Sequence, residues 1–499
     1  MIDFSLPFAK RSLESGDRRA DIAGFAWRLG LCVLMALGLR AATFGNPNLF
    51  VDEAFYFAAG IDMTHGALPY VDIWDRKPFG HFALYGLIAA ISRDPIAYQI
   101  TATFFAGYTA FVIWEMARDH SGQRAGCRAA ILYLFALPMF GGYGGQSPVF
   151  YNALVASCAW IVFRQSQRPE RPRAAWSLIL AMGLGGLALT IKQTVVFEIS
   201  ALGAWAAWKS YSCTGNLKPT LRMMAVWIAV GAAPTLAIAA YYWLSGHWSE
   251  FWQAMVLSNL SKSYDASSAI FGGTIMAILI SPLAIMAIVA LRQARQSDMK
   301  RFILIWLGAA ALGVLSVPNL HLHYALPMLV PLALASAPVL ARPIMGSVGL
   351  VTVMTISFAI HSPLDFARTE RTISAMERLA QTIRAHDGGR PILIFDGPPM
   401  LYHMSGHRSP TPLAFPPHLS HGAEINVSHL DTEAELRRVL ALRPGVIVDV
   451  PSFRHKPPNA RTAELIETYT SRYCRVVGSQ LVSDRTVDFV VRIHGDCAP

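Results

Sequence analysis

The chain of 499 residues carries 42 Lys and Arg against 32 Asp and Glu, a formal net charge of +10. Only 15% of its residues are charged and 54% are hydrophobic, with a mean hydropathy of +0.38; soluble globular chains are roughly a quarter charged. That balance excludes a disordered chain, a coiled coil and an ordinary cytosolic enzyme, and leaves a polytopic membrane protein.

In chain order, apolar runs long enough or nearly long enough to cross a bilayer fall at 23–44, 95–117, 129–144, 149–164, 174–191, 194–211, 222–245, 270–292, 301–317, 324–341 and 345–361. They predict a mainly α bundle of about eleven spans. Pro78–Ser92 is apolar but too short to cross, and predicts a helix half-inserted on one face. Arg28 inside the first run marks a retained anchor rather than a cleaved signal.

With the N-terminus in the cytosol, one side carries Lys10, Arg11, Arg18, Arg19, Arg118, Arg124, Arg128, Arg164, Arg168, Arg171, Arg173, Lys209, Lys218, Arg222, Arg292, Arg295, Lys300, Arg301 and Arg342, about 19 cations. The other side carries about five: Arg76, Lys77, Arg93, Lys192 and Lys262. The asymmetry explains the basic charge by topology, without nucleic acid as a partner.

An odd number of spans puts everything after His361 outside the cytosol. The expected organisation is a cytosolic tail at 1–22, a transmembrane unit at 23–361 with a large outer loop at about 45–94, and an outer domain at 362–499. That last stretch alternates helical patterns (Ser374–Ala385, Thr432–Ala441, Thr462–Ser471) with strand-like runs (Pro391–Phe395, Gly445–Val450, Val476–Val482, Val487–Ile493). The alternation predicts a small soluble α/β domain, with Gly397–Ser420 as a long loop. It contains no Gly-rich phosphate loop and no nucleophile elbow. Of the six cysteines, Cys474 and Cys497 fall there and can bridge if the domain is outside the cytosol; Cys32, Cys127, Cys158 and Cys213 lie in or beside apolar runs without metal-ligand spacing.

The polar residues of the first outer loop carry the chemistry. Asp52-Glu53-Ala54-Phe55-Tyr56 follows the first run, and Leu68-Pro69-Tyr70-Val71-Asp72-Ile73-Trp74-Asp75-Arg76-Lys77-Pro78-Phe79-Gly80-His81 leads into the half-inserted helix. Long ordered loops are often functional, and carboxylates, a lysine and aromatic rings near headgroups suit a substrate with its tail in lipid. Each motif also has a bland reading: Asp52-Glu53 as a helix-start cap, Lys77 as a snorkelling interfacial cation.

Together these residues resemble the GT-C superfamily of polyprenyl-phosphate-sugar-dependent glycosyltransferases, in the branch of protein O-mannosyltransferases and bacterial aminoarabinose lipid A transferases. The motifs are Asp52-Glu53, Gly66-Ala67-Leu68-Pro69-Tyr70-Val71-Asp72, Lys77-Pro78-Phe79, Thr190-Ile191-Lys192-Gln193, and His323-Tyr324 ahead of Pro327 and Pro331. The resemblance covers residues 20–345. It implies an inverting glycosyltransferase, multi-pass in a bacterial inner membrane, acting at the periplasmic face. The donor would be a polyprenyl-phosphate-linked sugar, the acceptor a lipid, glycan or protein hydroxyl. Asp52 and Glu53 are then the catalytic candidates. Lys77, Tyr70, Asp72, Asp75, His81, Lys192, Lys262, His321, His323 and Tyr324 are the candidates for substrate and phosphate binding.

One departure from the family pattern concerns the loop before the fourth span. Many relatives carry a second acidic residue there, whereas this chain reads Gly144-Gly145-Gln146-Ser147-Pro148-Val149-Phe150-Tyr151-Asn152. A divalent cation as cofactor is thereby left open, and no cofactor is certain. His321 and His323 suit a metal, a phosphate or acceptor contact, or a structural interfacial role. Glu115 is expected near the cytosolic end of its span, and Glu198 beside Lys192 as its ion-pair partner. The rival functions are a transporter or flippase of lipid-linked sugars and a non-catalytic subunit of an envelope glycan assembly.

Overall fold

A computed structural model of the protein describes residues 15–167, 174–261, 266–294, 297–451, 457–484 and 487–498. Lys262 lies outside the described residues, as do Lys10, Arg11, Arg168, Arg171, Arg173 and Arg295 of the charge count. Every one of the eleven apolar runs folds as a helix: α1 (Ser15–Arg40), α4 (Ile96–Ser121), α5 (Gln123–Met139), α6 (Ser147–Ser166), α7 (Ala174–Leu189), α8 (Val195–Thr214), α9 (Leu217–Leu244), α12 (Ala266–Gln293), α13 (Asp298–Leu315), α14 (Leu329–Leu340, entered through a 3-10 turn at Leu322–Met328) and α15 (Pro343–His361). Between α1 and α4 lie α2 (Val51–Met63) and α3 (Phe79–Ile91), and between α9 and α12 lie α10 (Trp248–Trp252), a π turn and α11 (Ser258–Ser261).

Among the described residues, six helical segments are long and apolar enough to cross a membrane: Ile22–Thr43, Ile96–Ser121, Leu217–Leu244, Ala266–Gln293, Leu322–Leu340 and Pro343–His386. The remaining helices of the bundle are shorter or more polar, for a packing reason. A helix ringed by other helices answers to its neighbours rather than to lipid, so it tolerates polar groups that find partners. In α6, buried Asn152 donates to Leu326 O at 3.1 Å and Ser157 bonds Tyr108 at 3.0 Å. The Leu322–Leu340 window is 72% buried, against 6% for α9, so α14 is central and α9 peripheral. Glu115 meets Arg28 at 2.5 Å and also Arg118. Glu198 departs from expectation, because its carboxylate accepts from Trp306 Nε1 at 2.8 Å.

The C-terminal region folds as an α/β unit: α16 (Phe366–His386), β1 (Ile392–Ile394), α17 (Leu401–Met404), α18 (Pro417–Ser420), α19 (Thr432–Ala441), β2 (Val446–Asp449), α20 (Ala460–Tyr473), β3 (Arg475–Ser483) and β4 (Asp488–Gly495). Thr432–Ala441 matches its expected bounds, and Gly397–Ser420 holds the two short helices α17 and α18. The sheet runs β1-β2-β4-β3, with β1 and β2 parallel and the other pairs antiparallel. Strand alternation divides two cores. Ile392, Ile394, Val446 and Val448 share one with Met376 and Leu379 of α16, while Leu393 and Ile447 share the other with Leu436 and Ile466. The β3–β4 hairpin brings Cys474 and Cys497 into a disulfide.

Candidate functional site

The segments 41–95, 140–146, 190–194, 245–261 and 316–328 gather at one end of the bundle, and the α/β unit docks there. Helix α2 starts straight after extended Phe50 and carries Asp52 and Glu53 in its first turn, where the helix dipole favours negative charge. Positions 52 and 56 are one turn apart on one face. The Tyr56 ring lies under the Lys77 ammonium, 5.6 Å from its centroid, and the Tyr56 hydroxyl donates to Asp75.

The approach to Lys77 is a tight turn. Tyr70 adopts φ +71°, unusual for a residue with a side chain, and the turn is closed by its N–H to Ile73 O at 2.6 Å. The strain is held by burial of the ring against Phe82, Tyr242 and Phe251. The Tyr70 hydroxyl then donates to Lys77 O at 2.9 Å. Asp72 closes the same turn on its exposed rim, accepting from Leu68 N–H at 2.8 Å.

Lys192 arrives from the α7–α8 turn. That turn seats against the start of α3 so closely that a Cβ on Gly80 would strike Thr190. Lys192 Nζ lies over the Tyr324 ring at 5.1 Å, and Lys77, Asp75, Asp52 and Arg76 are its charged neighbours. His81 is buried between Tyr56 and Tyr85, at ring distances of 4.4 and 5.2 Å, with Lys77 and Lys192 as charged neighbours. A narrow crevice runs from this cluster down between α6, α8 and α13, lined by Tyr151, Lys192, Thr194, Glu198, His323 and Tyr324 among others. His321 stacks on His323, whose ring also meets Phe50.

Glu53 occupies a different place. It is buried against Gly144, where a Cβ would collide with its carboxylate. Both of its oxygens fall short of hydrogen-bond geometry. Burial pushes the carboxyl up to about 8, against the opposing pull of the Gly145 amide, Arg40 and the Gln146 amide, with Asp52 adding to the rise. Arg40 clamps the same loop, donating to Gly142 O and, at 3.2 Å, to Gly144 O, while Tyr85 donates to Gly145 O at 2.7 Å. The loop facing Glu53 offers glycines and Gln146 and no second carboxylate. Among the described residues, no group of three or more His, Cys, Asp or Glu is arranged to hold a metal.

The structure thus brings together Asp52, Tyr70, Asp75, Lys77, His81, Lys192, His323 and Tyr324, with His321 at the edge. Glu53 is set apart in the loop knot and Asp72 on the rim. Sequence reasoning missed Tyr56, although its one-turn spacing from Asp52 was a usable signal. It also missed Arg40, and the C-terminal partners of Asp75 and Arg76, for which no local signal exists.

No protein-family model matches the chain, and no curated protein matches it in sequence. Among solved structures it is similar to ArnT from Cupriavidus metallidurans bound to undecaprenyl phosphate, with 12% identity, a TM-score of 0.56, and coverage of 95% of this chain and 98% of that one. It is also similar to the oligosaccharyltransferase AglB from Archaeoglobus fulgidus in complex with an inhibitory peptide and a dolichol-phosphate, with 11% identity, a TM-score of 0.47, and coverage of 93% and 74%. The second likeness is too loose to argue from. Over nearly its whole length this chain has the same fold as ArnT.

Proposed function

We propose that the protein is a membrane glycosyltransferase that moves a sugar from a polyprenyl-phosphate-linked donor to a hydroxyl acceptor. The observation that carries this reading is the convergence of Lys77 and Lys192, each seated over a tyrosine ring, near the helix that bears Asp52, with Lys192 and Tyr324 also lining a narrow crevice between helices. The lipid phosphate held by ArnT supports a donor of that class. In the proposed step Asp52 takes the acceptor proton as general base. The acceptor oxygen bonds to the anomeric carbon as the bond from that carbon to the phosphate oxygen breaks, with inversion. The electron pair leaves with the phosphate, whose growing charge Lys77 and Lys192 stabilise. Tyr324 is a further donor to that phosphate. Glu53 holds the 142–146 loop rather than the acceptor.

The proposed topology has eleven spans, a cytosolic N-terminus, a periplasmic site and the α/β unit on the periplasmic side of a bacterial inner membrane. The Cys474–Cys497 bridge supports an oxidising compartment there. A reporter fused at the C-terminus should be active only outside the cytosol, and one inserted at Gly215 only inside; a cytosolic C-terminus would overturn the span count.

The chemical test separates base from phosphate ligand. Asp52→Asn preserves shape and helix-start capping, and should lower turnover by roughly two to four orders of magnitude with undecaprenyl phosphate still bound. Lys77→Ala should weaken that binding as well as turnover. The non-catalytic assembly reading is favoured by one observation, the missing carboxylate at Gly144–Gln146, and full retention of envelope glycan modification in Asp52→Asn would support it.

A further inference from the structure

The segment that carries Lys77 is built into the C-terminal unit rather than resting on it. Trp74 is fully buried and belongs to that unit's own core, with Leu393, Phe395, Leu413 and Leu419. Its N–H donates to Pro412 O at 2.9 Å. Arg76 donates one hydrogen bond to Glu424 at 2.9 Å, and its other terminal nitrogen lies 2.8 Å from the second carboxylate oxygen, a charge-assisted pair. His418 is 2% exposed and lies between two carboxylates, 3.7 Å from Asp75 and 3.6 Å from Glu424. The rings of Trp74 and Phe415 pack on its imidazole. The chain of groups therefore runs Tyr56–Asp75–His418–Glu424–Arg76, and its two ends flank Lys77: Tyr56 lies beneath the ammonium and Arg76 is the preceding residue.

We propose that His418 and Glu424 are positioning residues for the donor site: through Asp75 and Arg76 they fix the 74–77 segment and so aim Lys77 at the lipid-linked phosphate. The α/β unit is thus part of the donor site although it touches no substrate. The physical warrant is twofold. Charged groups removed from water are held only by good partners, so the Arg76–Glu424 pair and the Asp75–His418 contact have few alternative arrangements. A displacement of about 1 Å at a binding cation is costly, up to roughly a hundredfold in rate or binding. Asp75 shows the balance: burial alone would raise its carboxyl, but His418, Arg76, Lys77 and the Tyr56 hydroxyl together hold it below its ordinary value.

This inference rests on the reading that Lys77 binds phosphate, and the test keeps the two apart. The full chain is reconstituted in nanodiscs and the Kd of undecaprenyl phosphate is measured for the wild type, Lys77→Ala, His418→Asn and Glu424→Gln, and for each C-terminal change combined with Lys77→Ala. The expected result is a loss of roughly tenfold or more for His418→Asn and Glu424→Gln, and no further loss from either once Lys77 is absent. A purely structural role predicts the same proportional loss in both backgrounds, and that result would overturn the proposal. An unchanged Kd in both C-terminal variants, with Lys77→Ala impaired, overturns it too. An unchanged Kd in Lys77→Ala removes the phosphate reading itself. Should the variants not fold, hydrogen exchange on the wild type decides: amides 74–77 should open together with 412–427, and independent opening of 74–77 would refute the coupling.

Discussion

Asp52 and Glu53 are joined by one peptide bond, yet they sit in two different kinds of environment. Asp52 is half-buried at the front, with Lys192, Tyr56 and Tyr85 as its neighbours. Glu53 lies in a closed knot behind it, packed on Gly144 with Arg40 tying the loop. Front and back differ in what surrounds the charge. The front offers rings and ammonium groups, and the back offers backbone and the Arg40 guanidinium. Two adjacent carboxylates on a helix point about 100° apart, which is enough to send one to a site and the other to the scaffold.

The strongest way to break this contrast is to cut the knot. Arg40→Met leaves the carbonyls of Gly142 and Gly144 without their buried donor and Glu53 without its nearest cation. Each orphaned buried acceptor costs about 1–3 kcal/mol, so the variant should lose about 3 kcal/mol or more of stability. Its denaturation midpoint in nanodiscs checks this. A midpoint equal to that of the wild type would mean that the guanidinium does not hold the loop.

A smaller, signed effect comes from Glu53→Gln. The folded carboxyl titrates at about 8, well above an unfolded glutamate near 4.3. Between those values the folded chain holds a proton that the unfolded chain has lost, so stability falls as pH rises from about 4.5 to 8. Glutamine removes that dependence. The variant should be close to the wild type at pH 5 and more stable than it at pH 9. An equal stability difference at the two pH values would show that Glu53 is ionised in the folded protein, and would return it to the front as a candidate base.

The contrast also explains what was legible in the sequence. All eleven helical runs of the bundle and the short α3 follow from apolar length, and the strands of the C-terminal unit from alternation, because both patterns are written locally. Asp52, Lys77 and Lys192 entered as candidates through a family resemblance carried by short motifs, which are local as well. Whether Glu53 faced front or back was not, since that depends on the absence of a side chain at Gly144, 91 positions further on. Glu424 and His418 were invisible for the same reason: Arg76 and Glu424 are 348 positions apart, and neither segment carries a pattern that names the other. Glu198 was assigned to Lys192 by proximity in sequence, whereas helix α8 turns it toward Trp306.

The smallest expected effect sharpens the boundary of the front itself. Asp72 and Asp75 lie in one loop and were read from the sequence as equal candidates. Asp75 is buried and bonded to Tyr56, while Asp72 is exposed and accepts only the Leu68 N–H among the contacts of its turn. Asp72→Ala removes one solvent-exposed turn bond, worth about 0.5–1.5 kcal/mol at most. It should leave the Kd for undecaprenyl phosphate within twofold of the wild type. Asp75→Asn should weaken that Kd through Lys77, since it loosens the contacts to Tyr56 and His418 at once. Measured side by side in nanodiscs, the two substitutions separate a turn-closing carboxylate from one coupled to the site. A marked loss of lipid-phosphate binding in Asp72→Ala would extend the front to the exposed rim and make the Leu68–Asp72 turn part of the binding surface.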